Sequence, residues 1–339
     1  MMKNKHYAII IFLLNILLLG CNKANNVENN TDGNNSSVIK TPKILGYEAK
    51  SIQLNDLTFN YVEAGTGELI VLLHGFPYFG ASWDKLLRPL SAEYHVVAPD
   101  NRGYGYTDKP EAVADYKINK LVDDVRLLIK QLAKNKKIIL IGHDWGGVLA
   151  WGIAQQHPEL VSKVIVINAP PFNAFIRSLA ENSSQREASR YIPKMTGLLA
   201  RVYFFIKGPE LLWGTGMVNM LEAGHINAQF KQAFLAAWSE PGAVESAINW
   251  YKANVPAFDE INTSTYWPQK NGVQALAKIN IPSLLIWSKG DKAFTEDTFN
   301  EIPNHVSGMQ VKILDTDSHT PQIDHSEEVL KYIQEFISE

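Results

Sequence analysis

Five short, almost wholly apolar runs recur along the chain: Glu68-Leu-Ile-Val-Leu-Leu73, Tyr94-His-Val-Val-Ala98, Lys137-Ile-Ile-Leu-Ile141, Val164-Ile-Val-Ile167 and Leu284-Leu-Ile-Trp287. Runs of this length without polar alternation mark strands covered on both faces, as in a parallel sheet. Helical periods lie between and after them, at Trp83 to Glu93, Asn119 to Leu132, Gly147 to Gln156 and Glu327 to Ile337. Ahead of the first run, residues 48–64 alternate in two stretches joined by Asn55-Asp56, which predicts an opening hairpin. Val311-Lys-Ile-Leu314 adds a last strand. The pattern predicts a doubly wound α/β domain: a mostly parallel, eight-stranded sheet with helices on both faces and ligands beyond the carboxyl ends of its strands.

The alternation lapses between Pro170 and about Gly272. Arg177 to Tyr191, Leu198 to Phe205, Asn227 to Trp238 and Gly242 to Ala253 have helical periods and many aromatics, with no clear strand. Following directly on the sixth strand, this stretch reads as a helical cap over the site. The expected division is core at 43–170, cap at 171–272 and core again at 273–339.

The amino terminus changes the picture. Lys3 and Lys5 precede an apolar run from Ala8 to Leu19, and Leu18-Leu19-Gly20 leads into Cys21. The run is too short to span a bilayer and suits a signal segment. It resembles a bacterial lipoprotein signal (residues 1–20), which implies cleavage before Cys21, lipid on its thiol and attachment to a membrane. Asn22 after that cysteine leans, by the same resemblance, toward an outer membrane. From Asn22 to Ser37 seven of sixteen residues are asparagine, so residues 21–42 read as a flexible tether. Cys21 is the chain's one cysteine, and no internal disulfide can form. Loss of Lys3 and Lys5 leaves 30 basic against 35 acidic residues, a charge of −5 with no basic patch, and nucleic acid is not an expected partner.

The chemistry centres on Gly142-His143-Asp144-Trp145-Gly146-Gly147, where an apolar strand turns into a helix and an aspartate stands where a G-x-S-x-G elbow carries serine. A carboxylate attacking an ester gives an anhydride, whereas attack on a strained or halogenated sp³ carbon gives an ester that water can cleave. Asp144 is thus the candidate nucleophile. The base comes last in this fold order, and His319 follows the final strand, while His143 shares the elbow but is expected to point elsewhere by strand alternation. Asp291, after the run at 284–287, is the expected orienting acid. The alternative slot after the strand before the cap holds Asn168, an amide. Backbone N–H groups of Phe76, in His74-Gly75-Phe76-Pro77, and of Trp145 are expected to form an oxyanion hole.

Together with Asp100-Asn-Arg-Gly-Tyr-Gly105, Asn249-Trp-Tyr-Lys252 and Ser318-His319, these motifs resemble the epoxide hydrolase branch of the α/β-hydrolase superfamily over roughly residues 45–338. The resemblance implies the α/β-hydrolase fold, a small apolar epoxide as substrate, no cofactor or metal, and two cap tyrosines that hydrogen-bond the epoxide oxygen. Tyr251 matches the second of these. Tyr191 and Tyr203 compete for the first, since the stretch that usually follows it is replaced by Ile192-Pro-Lys-Met-Thr-Gly197. Phe76, Pro77, Trp145 and Tyr251 are the expected substrate-binding residues, in a monomer or homodimer. Haloalkane or haloacetate dehalogenases share the first step, and the Trp145 indole N–H could serve a halide. A hydrolase-fold surface lipoprotein without turnover is a third reading, opposed by the presence together of Asp144, Asp291 and His319.

Overall fold

The computed structural model describes residues 43–257 and 278–339. The signal, the tether, Cys21 and cap positions 258–272 lie outside the described residues. The strands are β1 (Lys43–Ile44), β2 (Tyr47–Leu54), β3 (Leu57–Ala64), β4 (Leu69–Leu73), β5 (His95–Pro99), β6 (Ile138–His143), β7 (Val161–Ile167), β8 (Ser283–Ser288) and β9 (Gln310–Leu314). They lie in the order β1-β2-β3-β5-β4-β6-β7-β8-β9. The eight expected strands gain a two-residue partner at one edge: Lys43–Ile44, antiparallel to the start of β2.

The pairing follows from burial. Every residue of β4, β6 and β8 is buried, and these strands pair in parallel with their neighbours. The β2–β3 hairpin turns at Asn55, whose φ of 52° an asparagine tolerates, and its alternating burial suits an antiparallel pair with one wet face. At the other edge β9 leaves Val311 and Ile313 exposed. The helix Trp145–Gln156 is apolar almost all round because it lies between β6 and β7 on one side and the helix Ile118–Ala133 on the other. Asp84–Leu90 and Ser326–Ser338 pack together separately, against β5 and β8.

Between β7 and β8 the described residues are helical up to Asn254. The single helix expected over 177–191 is divided into Phe172–Glu181 and Ser183–Ala188, with Tyr191–Thr196 beginning a further one. Named side chains tie this layer to the core loops. Trp250 Nε1 donates to Arg102 O at 2.9 Å, Trp238 Nε1 to Pro77 O at 2.9 Å, and Asn254 Oδ1 accepts from Ile118 N–H at 2.7 Å.

Because β5 and β6 lie on opposite sides of β4, the sheet changes winding direction there, and the loops after β4 and β6 face one another across a crevice. His74-Gly75-Phe76 leaves one loop and Asp144 the other.

Candidate active site

Asp144 caps the helix Trp145–Gln156 with φ 51° and ψ −125°, a strained conformation that lifts its side chain above the sheet edge. The turn closes only around glycine: a Cβ on Gly146 would lie 2.0 Å from Leu73 O. Opposite, a Cβ on Gly75 would lie 2.2 Å from Asp144 Oδ1, so the loop after β4 approaches the carboxylate as closely as backbone can. Through that approach Phe76 N–H donates to Asp144 Oδ1 at 2.9 Å. The Trp145 backbone N–H also hydrogen-bonds the carboxylate. Both expected hole donors therefore already hold the aspartate.

Oδ2 faces His319, whose Nε2 is 3.6 Å away. His319 Nδ1 lies 2.8 Å from Asp291 Oδ2, and Asp291 Oδ1 accepts the N–H groups of Ala293 (2.7 Å) and Phe294 (3.2 Å). The carboxylate is thus aimed by its own loop. Burial opposes charge on His319, but the Asp291 charge, the hydrogen bond to Asp291 and the nearby Asp144 carboxylate outweigh it and push the imidazole up to about 10. Burial likewise opposes charge on Asp144, and the His319 imidazolium close beside it holds its carboxyl below the usual range.

The cap brings two tyrosines over this pair. Tyr251 is buried, its ring 5.3 Å from the Trp145 ring and 6.0 Å from Phe76, and the Trp145 indole N–H donates to its hydroxyl. Tyr191 lies edge-on to it at 6.1 Å, with the two side chains hydrogen-bonded. Desolvation of both hydroxyls raises their pKa; in each the Asp144 charge adds to the rise, and both stay protonated at neutral pH. Tyr191 as a residue is 39% exposed, so it stands at the rim with its hydroxyl inward. Tyr203 is half-exposed among Leu199, Val202 and Ile206. Of the two competing positions, Tyr191 is the one brought to Tyr251.

Phe76, Trp145 and Tyr251 form one aromatic wall, which Trp238 extends at 5.7 Å from Phe76. Pro77 takes part through its carbonyl, the acceptor for Trp238. Trp238 and Phe294, 5.8 Å from the His319 ring, escaped the sequence reading. Trp238 lies on a helix whose phase was legible, but which face meets Phe76 depends on packing across 162 positions.

His143 needs correction. It was expected to point elsewhere, yet it takes part in the site: its ring centroid lies 4.9 Å from that of His319, and Nε2–H donates to His319 O at 2.8 Å. Strand alternation carries no record of which distant loop comes to rest against a given face. Burial pushes His143 down to about 4, as it does His74, so both are neutral. Among the described residues no group of three or more His, Cys, Asp or Glu is arranged to hold a metal ion.

Residues 68–326 match the family model described as alpha/beta hydrolase fold. The chain is 34% identical to Epoxide hydrolase 4 of Homo sapiens over 298 residues, covering 85% of this chain and 78% of the relative. It is 30% identical to Epoxide hydrolase 1 of Caenorhabditis elegans over 316 residues, 88% and 72% of the two chains. Among solved structures, an inhibitor complex of the Bacillus megaterium epoxide hydrolase superposes with a TM-score of 0.77 at 29% identity, covering 86% of this chain and 100% of that one.

Proposed function

Since the chain belongs to the α/β-hydrolase fold family, in its epoxide hydrolase-like branch, and is a hydrolase, we propose that it opens small apolar epoxides to vicinal diols through an ester of Asp144. A hydrolase leaves no room for the reading without turnover. The observation that carries the proposal is the posture of Asp144: Oδ1 on the Phe76 backbone N–H, Oδ2 turned toward His319, and two protonated tyrosines overhead.

Oδ2 attacks an epoxide carbon in line while Tyr191 and Tyr251 donate to the ring oxygen, which takes a proton as the C–O bond breaks. Oδ1 then becomes the ester carbonyl oxygen. It already accepts from the Phe76 N–H, with the Trp145 N–H also on the carboxylate, so the negative charge of the tetrahedral intermediate develops where donors stand, a factor of about 10² or more for each. Alkylation also removes the Asp144 charge beside His319. With that partner gone the imidazole pKa falls: His319 gives up its proton, which replaces the one a tyrosine passed to the epoxide oxygen, and then, still held by Asp291, takes a proton from water as it attacks the ester carbonyl. As the tetrahedral intermediate collapses, its hydroxyl proton passes to the departing glycol oxygen, which leaves the diol, the free carboxylate and the protonated imidazole.

A dehalogenase would begin with the same displacement. Here the Trp145 indole N–H is engaged by Tyr251, and Phe76 offers no side-chain donor to a halide. The test compares an aryl epoxide with an alkyl bromide in wild type and Tyr251→Phe. Epoxide opening is expected to fall by about 10²-fold or more with little change in bromide displacement. Equal losses on both substrates would contradict the assignment.

Export, with lipid on Cys21 and residues 21–42 as tether, is the proposed setting. Lys3, Lys5 and the apolar run into Cys21 support it. Among the described residues no helix is long and apolar enough to cross a membrane. Metabolic labelling with a fatty-acid probe is expected to mark wild type and not Cys21→Ser; unlabelled wild type would refute the anchor.

A further inference from the structure

The slot after β7, where an orienting carboxylate could have stood, is not idle. Asn168 is fully buried and takes a φ of 44°, a conformation asparagine adopts more readily than most residues. Its Nδ2 donates to Ser288 Oγ (3.0 Å), Ser318 O (3.1 Å) and His319 O (3.1 Å), while Oδ1 accepts from Ser288 N–H (2.7 Å). Its own N–H donates to Ile286 O at 3.0 Å. Ser288 ends β8, and its carbonyl accepts from Asp291 N–H at 3.2 Å. One amide therefore spans the strand end that leads to Asp291 and the loop that carries His319.

We propose that Asn168 is a positioning residue for the second half-reaction, holding the backbone of His319 in register with Asp291 so that the imidazole meets the ester on Asp144. The proposal rests on the covalent reading above. The chemistry of the side chain supports it. Only an amide of this length both accepts from Ser288 N–H and donates to buried carbonyls. An aspartate would keep the first bond and set a carboxylate against the carbonyls of Ser318 and His319. An alanine would leave those carbonyls with fewer donors in a buried place, His319 O keeping its bond from His143 alone. None of the Asn168 side-chain hydrogen bonds reaches Asp144, Tyr191 or Tyr251, so the first half-reaction does not depend on it.

The role is therefore step-selective, which a merely structural one is not. Asn168→Asp and Asn168→Ala in the full chain, mixed with styrene oxide in rapid-quench single turnovers, are expected to form the enzyme ester within about twofold of the wild-type rate. They are expected to hydrolyse it at least about tenfold more slowly, so that adduct mass accumulates and kcat and KM fall together. Equal slowing of both steps, or ester decay at the wild-type rate, would overturn the assignment. If the Ala variant does not fold, the isosteric Asp variant gives the answer. His319→Gln serves as control: no adduct there defeats the covalent mechanism itself, whereas adduct there with wild-type decay in both Asn168 variants defeats only the role of Asn168.

Discussion

Asp144 is held in a backbone conformation that costs about 1–3 kcal/mol, and the glycines around it make the strain tolerable by letting the loop after β4 and the first helical turn close in. Gly75 is the sharper case, because its missing side chain is where the carboxylate sits. Gly75→Ala is expected to displace Oδ1 from its donors and lower epoxide turnover by about 10²-fold or more, read from steady-state kinetics beside an unchanged circular dichroism spectrum. Turnover near wild type would mean that this seat is not used. Asp144, Asp291 and His319 were legible because each is marked locally, by an elbow, a strand end or a place in chain order, and they come within hydrogen-bonding or near contact of one another. Asn168 and the hydrogen bond of His143 were not. Their partners lie 120 to 176 positions away, and a local pattern carries no record of such contacts. Tyr191 was legible only as one of two candidates, since its surrounding motif departs from the family's.

At the level of elements, continuous apolar runs identified the central strands because both faces of those strands are covered, which frees every position from the need to be polar. The cap helices were harder to bound. Their ends depend on ties such as Trp250 to Arg102 O and Asn254 to the Ile118 N–H, which propensity does not express. Arg102 anchors this joint: its Nε and Nη2 grip the two oxygens of buried Asp124 at 2.7 and 2.6 Å, and Nη1 donates to Asp115 O. Burial raises the Asp124 pKa even against the Arg102 charge, a measure of how poorly that carboxylate would fare alone. Arg102→Met is expected to destabilise the protein by about 3–5 kcal/mol in urea unfolding, with Arg102→Met/Asp124→Leu recovering much of the loss. A single variant within about 0.5 kcal/mol of wild type would show that the pair does not hold the joint.

Over the whole molecule, three histidines, the buried His74 and His143 and the half-buried His319, shape stability against pH in opposite ways. His74 and His143, pushed down to about 4 by burial, bind protons in the unfolded chain before they do in the folded one, so stability present above about pH 6.5 is lost as pH falls toward 4. His319, pushed up to about 10, binds its proton more tightly when folded. Its contribution is complete below about pH 6.5 and disappears as pH rises toward 10. Thermal melts from pH 4 to 10 should therefore peak near 6.5, and His319→Gln should flatten the alkaline side while leaving an acid decline; an unchanged alkaline side would contradict the charged resting imidazole. In the proposed cycle that resting charge, and its loss once Asp144 is alkylated, joins the electrostatics of the fold to the order of the two steps. The most direct test of the covalent step is a single turnover of epoxide by excess enzyme in heavy-oxygen water. The account predicts unlabelled diol and one heavy oxygen on the Asp144 carboxylate, located by peptide mass spectrometry. Heavy oxygen in the diol from that first turnover, with none in the protein, would contradict it.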